Sequence, residues 1–204
     1  MPWSGNRNYN VNVAGGELEV NTAIGRMRTL GVTQVFLAGH GQGGVFALYF
    51  GGKYPVDGIV AIAPGGNSGS QILREKLSAP LAEARKLAAA GKGAETARLQ
   101  DFDFGKGGSI VICTPDNYLT WFEPDGAMNQ LAASRRLKPG TPVLFIVPKD
   151  DHPGLLKVKQ ANFDALPRTP LTRLYEPEGG QLDAPKASRE EVARWILEVA
   201  NAPR

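Results

Sequence analysis

Short apolar runs alternate along the chain with longer segments in which apolar residues recur every three or four positions. The short runs are rich in β-branched residues and predict buried strands, at 32–38, 58–63, 109–113, 143–147 and 172–175. The periodic segments predict helices, at 17–30, 43–52, 77–90, 94–99, 127–137, 155–166 and 188–201. Strands that alternate with helices are typical of an α/β fold, here a mostly parallel sheet with helices on both faces.

The same pattern predicts a single domain over residues 1–204, in which residues 71–106 form a helical insertion between strands. The chain is long enough for one domain with a substantial core. Its first 14 residues are polar and rich in Asn and Gly, which predicts a loop. Ser188 followed by Glu191 matches a capping box and predicts the start of the last helix.

A glycine-rich turn, Gly39–Gly43, joins the strand at 32–38 to the helix at 43–52 and reads Gly-His-Gly-Gln-Gly. Its frame is that of the Gly-x-Ser-x-Gly nucleophile elbow, in which a sharp strand-to-helix turn exposes a serine hydroxyl. Gly41 stands at the position of the serine. The sequence therefore predicts that the turn is kept and that its nucleophilic oxygen is missing.

The same glycines also match the dinucleotide-binding pattern, since Gly39, Gly41 and Gly44 lie between a strand and a helix. That pattern needs a carboxylate at the end of the next strand to hold a ribose. The next strand ends in Pro64–Gly66, and Asp57 precedes the strand instead of following it. The dinucleotide interpretation is therefore disfavoured, and no cofactor is expected.

Composition narrows the function classes. The chain carries a net charge of +3 with its basic residues dispersed, which gives little support to a nucleic-acid partner. No apolar run reaches the roughly 20 residues of a membrane helix. No signal peptide is visible, and the compartment stays open with the cytoplasm as the default expectation. The single cysteine, Cys113, lies in an apolar run and is expected to be a buried small side chain instead of a reactive thiol.

Three segments together make the chain resemble an α/β-hydrolase. They are the turn at 39–43, the acidic end of the strand at 143–147, and the loop at 178–185 that follows the final strand. Their order is that of nucleophile, acid and histidine in this superfamily. Further stretches resemble a bacterial group of esterase-like or dienelactone-hydrolase-like proteins, at 1–4, 118–126 and 182–185.

The resemblance assigns the three positions of a catalytic triad. The nucleophile position is Gly41, the acid is Asp151 with Asp150 beside it, and the histidine position is Gln181. Glycine has no side chain to attack an ester, and glutamine cannot accept a proton near neutral pH. The backbone N–H of Gln42 would remain as one oxyanion donor. The resemblance therefore implies a hydrolase relative that is inactive or very weak.

Gly41 also has a purely structural explanation. A residue with a Cβ in the strained elbow conformation costs about 1–3 kcal/mol, whereas glycine adopts it freely. A glycine at this position is therefore expected to stabilise the fold once the reaction is no longer needed.

The resemblance also implies that the first strands of the fold are missing from this sequence, so that the strand at 32–38 would lie at a sheet edge. Residues 1–14 could cover that edge, another chain could pair with it, or the sequence could come from a truncated reading frame; truncation and edge pairing are the favoured expectations. A homodimer through the exposed edge is therefore one of the expectations, with a binding or interaction module as the corresponding function.

Two further alternatives concern chemistry. His152 follows Asp151, and the pair with a water nucleophile would make an active ester hydrolase with a non-standard site. A pocket kept from the hydrolase fold could instead hold a small ester-like ligand. The turn, the loop at 64–70 and the segment at 118–122 would line this pocket. His40 is expected to pack or hydrogen bond beside the turn.

Several other polar residues are not expected to form a functional site. Ser68 and Ser70 lie in a Gly-rich stretch and are expected to be solvated loop serines. Glu123, Asp125 and Asp183 lack the spacing of a metal-ligand cluster, so no metal site is expected.

Overall fold

The computed structural model describes residues 9–103 and 107–203. The strands are β1 (Phe36–His40), β2 (Gly58–Ile62), β3 (Ala97–Asp103), β4 (Gly107–Cys113), β5 (Val143–Ile146) and β6 (Arg173–Tyr175). The helices are α1 (Val13–Thr29), α2 (Gln42–Lys53), α3 (Gln71–Lys76), α4 (Ser78–Leu87), α5 (Pro115–Phe122), α6 (Gln130–Arg135), α7 (Pro153–Asp164), α8 (Ala184–Ala187) and α9 (Arg189–Asn201). The family-like segment at 1–4 lies outside the described residues.

The chain divides into two compact units. The ribbon unit comprises Met1–Val32 and Ser68–Asn129, and the sheet unit comprises Thr33–Asn67 and Gln130–Arg204. The prediction of one domain with a helical insertion at 71–106 stays a prediction.

The sheet unit holds a parallel sheet of four strands in the order β1-β2-β5-β6. The expected α/β class with a mostly parallel sheet is thus confirmed. Within the described residues β1 is an edge strand, which agrees with the expectation for the strand at 32–38. The strand begins at Phe36, four residues later than the apolar run suggested.

Alternate residues of the two central strands enter two hydrophobic clusters, one on each face of the sheet. Ile59 and Phe145 pack with Leu48 of α2 in one cluster. Val60 and Leu144 pack with Trp195 of α9 in the other. Since successive side chains of a strand point to opposite faces, burial on both faces explains why these strands are continuous apolar runs.

The ribbon unit holds the antiparallel pair of β3 and β4, in which Ala97 pairs with Cys113. The helix predicted at 94–99 is therefore wrong. Residues such as Ala97 and Leu99 are good helix formers, but Leu99 and Val111 are buried when the two strands pair. Tertiary packing thus overrides the local preference.

Two other local predictions need correction. Ser188 does cap α9, but its side chain donates to the carbonyl oxygen of Ala184 (2.6 Å), and it makes no capping bond to the α9 backbone. Glu191 forms ion pairs with Arg173 and Arg194 instead of completing a capping box.

Helix α5 is absent from the elements that the sequence predicts. Thr114 is its N-cap, and Pro115 is its first residue. In the described ranges, every helix is too short or too polar to cross a membrane.

Candidate functional site

The candidate site lies in the sheet unit, where the four parallel strands end. Because parallel strands have their carboxyl ends at the same edge, the segments after β1, β2, β5 and β6 meet there. The loops after β5 and β6 are joined by backbone hydrogen bonds, from Lys149 N–H to the Pro177 carbonyl (2.9 Å) and from Asp150 N–H to the Gly179 carbonyl (3.1 Å). These bonds hold Asp151 and the segment before Gln181 in neighbouring loops.

Gly41 forms the turn between β1 and α2, with φ 58° and ψ −124°. Its N–H donates to the Ile62 carbonyl (2.9 Å), and its own carbonyl accepts from the N–H groups of Gly44 (2.9 Å) and Gly65 (3.1 Å). A positive φ is costly for residues with a Cβ. The space over Gly41 is nevertheless open, because an added Cβ would meet nothing within 4 Å.

The neighbouring glycines are needed for a different reason. An added Cβ on Gly39 would lie 2.0 Å from the carbonyl oxygen of Gly43. One on Gly44 would lie 3.2 Å from both the Gly39 carbonyl oxygen and the Pro64 Cβ. The strand end and the first turn of α2 therefore approach so closely that only glycine fits at Gly39.

The loop after β2 folds back over the turn. Ala63 is fully buried and has a positive φ of 41°, a backbone conformation that is unusual for a residue with a Cβ. Gly66 has φ 73°, and a Cβ added there would be 3.4 Å from the Cβ of Gln42. Gln42 is the first residue of α2, so its backbone N–H lies beside Gly41 at the helix start.

Asp151 lies in the loop after β5 and is 4% exposed. Its Oδ1 accepts the backbone N–H of His152 (2.7 Å), whereas its Oδ2 is buried without a hydrogen-bond partner. Burial raises the pKa of this carboxyl group above its usual value, opposed by the His152 N–H and by the charges of His152 and His40. A buried carboxylate oxygen without a hydrogen-bond partner is costly to the folded state.

His152 is the N-cap of α7. Its Nδ1 accepts the backbone N–H of Gly154 (3.2 Å). The neutral ring that makes this bond carries its proton on Nε2. The capping role thus fixes the tautomer of the ring.

Gln181 lies in the loop after β6, and its side chain is partly exposed. Its amide nitrogen would be 3.1 Å from a Cβ placed on Gly65, so the side chain packs against the loop after β2. His40 Nε2 lies 2.9 Å from the Gln181 carbonyl oxygen. The structure therefore brings Gly41, Gln42, Asp151, His152 and Gln181 to one edge of the sheet.

The sequence predicts that His40 packs or hydrogen bonds beside the turn, but it does not predict the link to the final loop. No local signal identifies its partner, since Gln181 is 141 residues away in the sequence. The positive φ of the buried Ala63 is also not predictable from the sequence, because alanine rarely adopts this conformation.

The polar residues that were not expected to form a functional site make structural contacts. Ser68 is buried, not solvated as expected, and its hydroxyl donates to the Glu123 carbonyl (3.0 Å). Ser70 is the N-cap of α3, where its hydroxyl accepts from Leu73 N–H (3.3 Å). Asp125 pairs with Arg74.

The other candidate ligands and the cysteine are also engaged in structure. Glu123 pairs with Arg85. Asp183 Oδ2 accepts the Gly180 N–H (3.1 Å). Cys113 is buried as expected. Among residues 9–103 and 107–203, no three His, Cys, Asp or Glu side chains cluster as metal ligands would.

Comparison with known proteins supports the fold. No protein-family model matches the sequence, and neither does any curated protein sequence. The chain is similar to the structure of DcsB in complex with its substrate analogue, at 18% identity and a TM-score of 0.67, covering 94% of this chain and 73% of that one.

Two further solved structures are similar over most of their length. The α/β hydrolase GrgF from Penicillium sp. sh18 shares 16% identity at a TM-score of 0.62, covering 93% of this chain and 71% of that one. The Paleococcus ferrophilus monoacylglycerol lipase shares 19% identity at a TM-score of 0.60, covering 95% and 77%. Together with the parallel sheet and the turn at Gly41, these similarities show that the chain has the fold of the α/β-hydrolase superfamily.

Proposed function

We propose that this protein is a relative of carboxylic-ester hydrolases that is inactive or very weak in ester hydrolysis. The observation that carries the proposal is Gly41. Its φ and ψ, 58° and −124°, place it in a strained strand-to-helix turn with open space above the Cα. A nucleophile elbow projects its hydroxyl into such a space, and a glycine there leaves no atom to attack a carbonyl carbon.

The other two triad positions support the same proposal. Asp151 stands where the acid is expected and keeps a buried, unpartnered Oδ2. In a working triad this oxygen accepts a hydrogen bond from the ring N–H of the histidine. Gln181 cannot act as a base, and its amide nitrogen lies against Gly65. Asp151 is thus present at the acid position, whereas the serine and the histidine of a triad are absent.

The alternative with Asp151, His152 and water is weaker on chemical grounds. A base must offer a lone pair to the attacking water. In His152 the Nδ1 lone pair is used to accept from Gly154 N–H, and Nε2 then holds the proton. The ring can serve as a base only by giving up the cap of α7.

Binding without catalysis fits the same site. The loops after β2 and β6 lie beside the turn, since Gly66 lies against Gln42 and Gln181 lies against Gly65. We propose that a small ester-like molecule is the ligand class, since the hydrolase frame is built around such a group. The homodimer through β1 stays a prediction, and a mass that rises with concentration in analytical ultracentrifugation would support it.

The first test is the hydrolysis of p-nitrophenyl acetate by the unmodified chain, with His152→Ala as the matched variant. The proposal expects neither protein to exceed the rate of buffer with an equal concentration of an unrelated protein. A rate above that level, lost in His152→Ala, would establish the water mechanism. A rate above it that survives in His152→Ala would show another active group and would also overturn the proposal.

A further inference from the structure

The outer edge of β1 presents backbone groups that have no strand partner among the described residues. In that part of the chain β1 pairs with β2 alone, so its other edge faces no strand. The Gly41 N–H donates to the Ile62 carbonyl of β2 (2.9 Å), and the backbone groups of a strand alternate in direction from one residue to the next. The N–H and carbonyl groups of Phe36, Ala38 and His40 therefore point away from β2.

This edge is also accessible at the surface of the protein. Ala38 and His40 are exposed, whereas Val60, which lies beside Ala38 in β2, is fully buried. A small apolar residue in the middle of a parallel sheet is normally covered by a neighbouring strand or helix. The exposure of Ala38 means that another chain can reach β1 at its centre.

The two edges of the sheet differ in how well they are protected. Natural edge strands avoid pairing with other chains by being short or by carrying charges or proline. Strand β6 is three residues long, and its Arg173 forms ion pairs with Glu191 and Glu198. Strand β1 is five residues long and contains neither a proline nor a charged Lys, Arg, Asp or Glu. Of the two edges, β1 is therefore the one suited to pairing.

We propose that β1 pairs antiparallel with β1 of a second copy of this chain, around a twofold axis at Ala38. In this register Ala38 lies opposite the partner's Ala38, and Phe36 lies opposite the partner's His40. Directly opposed residues of this kind exchange both of their backbone hydrogen bonds. Every outward N–H and carbonyl group of Phe36, Ala38 and His40 then has a partner.

A second copy fits this edge because the edge is self-complementary. Its outward residues are spaced equally on either side of Ala38, so the row of donors and acceptors matches itself after a twofold rotation. Opposed residues of a hydrogen-bonded pair have Cα atoms about 5.5 Å apart, and two alanine side chains fit at that distance. The dimer gives the proposed interaction role a partner, and it forms or fails whether or not the protein hydrolyses esters.

Strand β4 of the ribbon unit is a competing surface for self-association. It also contains no charged residue, and Ile110 on it is 56% exposed. Association through β4 would respond to Ile110→Lys and not to a change at Ala38. Ile110→Lys is therefore the matched control for a charge placed on an exposed strand.

The test is sedimentation velocity of the full chain over a range of concentrations. We expect a reversible monomer–dimer equilibrium. Ala38→Lys and Ala38→Glu should each weaken dimerisation about tenfold or more, because like charges meet at the axis. Ala38→Ser, which adds no charge, and Ile110→Lys should each change it less than about twofold.

An equimolar mixture of Ala38→Lys and Ala38→Glu tests the register. Only a pairing that places residue 38 opposite itself brings the two opposite charges together. We therefore expect the mixture to form a heterodimer at concentrations where each variant alone is monomeric. A mixture that stays monomeric would overturn the axis at Ala38.

Amide hydrogen exchange of the unmodified chain needs no variant. Exchange at Phe36, Ala38 and His40 should slow as the protein concentration rises, because the dimer protects the outward amides. A monomer at every concentration, or exchange at these amides that is equally slow when the protein is dilute, would overturn the proposal. So would a dimer that is lost in Ile110→Lys but kept in Ala38→Lys.

Discussion

The ring of His40 donates from Nε2 to the backbone carbonyl oxygen of Gln181, across 2.9 Å. This bond ties the end of β1, one residue before Gly41, to the loop after β6. It therefore connects the residue before Gly41, the proposed nucleophile position, to Gln181, the proposed histidine position. In this chain the connection is made by a side chain that no triad uses.

We expect His40→Ala to loosen the loop after β6. The loss of one hydrogen bond should lower the free energy of unfolding by about 1 kcal/mol. Amide hydrogen exchange at residues 179–184 should quicken while exchange in β2 and β5 stays slow. His40→Gln keeps a side-chain donor and serves as the control. Unchanged exchange at 179–184 in His40→Ala would contradict a restraining role for this bond.

Alanine substitutions at two glycines of the turn should differ in severity. At Gly41 an alanine meets no atom within 4 Å, so the cost is the strained backbone alone, about 1–3 kcal/mol. At Gly39 the new Cβ would lie 2.0 Å from the Gly43 carbonyl oxygen, and the backbone must move. We expect a loss of about 3 kcal/mol or more there.

Urea unfolding of Gly39→Ala and Gly41→Ala measures this difference directly. Equal stability of the two variants, or a milder effect at Gly39, would contradict the close approach of β1 and α2 at Gly39.

Asp151 should make stability depend on pH. Its pKa is raised in the folded protein above the value of about 3.9 that an unfolded chain gives. The folded state therefore binds the proton more strongly than the unfolded state. The stabilisation by the neutral carboxyl group is complete below the unfolded pKa and is lost as pH rises through the folded pKa.

We expect the stability of Asp151→Asn, relative to the unmodified protein, to increase as pH rises from about 4 towards neutrality. Urea unfolding across this range measures it. Asp150→Asn, which changes the exposed neighbour, is the matched control for the loss of a carboxyl group in this loop. If the stability of Asp151→Asn relative to the unmodified protein falls as pH rises, the folded state stabilises the carboxylate. That result would contradict the expected effect of burial on Asp151.

Cys113 should be unreactive in the folded protein. Burial raises the pKa of its thiol to about 11, so about one molecule in a thousand carries a thiolate at pH 8. We expect a disulfide reagent such as DTNB to modify Cys113 only when urea unfolds the protein, with one thiol released per chain. Rapid modification under native conditions would contradict the burial of this side chain.

The sequence predicts the parts of the fold that depend on local patterns. The strand, turn and helix around Gly41 follow from an apolar run, clustered glycines and a second apolar segment. Strands β2 and β5 are recognisable because both of their faces are buried. The order of Gly41, Asp151 and Gln181 along the chain indicates which loops form the candidate site.

The features that escaped prediction depend on contacts between distant residues. Strand β3 is stable because it pairs with β4, although its first residues favour a helix. The positive φ of Ala63 depends on packing that composition does not reveal. The unpartnered Oδ2 of Asp151 appears only when all the neighbouring loops are in place.

We propose that Gly41 and Gln181 occupy the nucleophile and histidine positions of a disabled ester hydrolase. The most direct test compares ester hydrolysis by the unmodified chain and by the Gly41→Ser/Gln181→His double variant, with Gly41→Ser/Gln181→His/Asp151→Asn as the control. We expect turnover of p-nitrophenyl acetate by the double variant only. Turnover by the unmodified chain, or a folded double variant that is as inactive as its control, would contradict it.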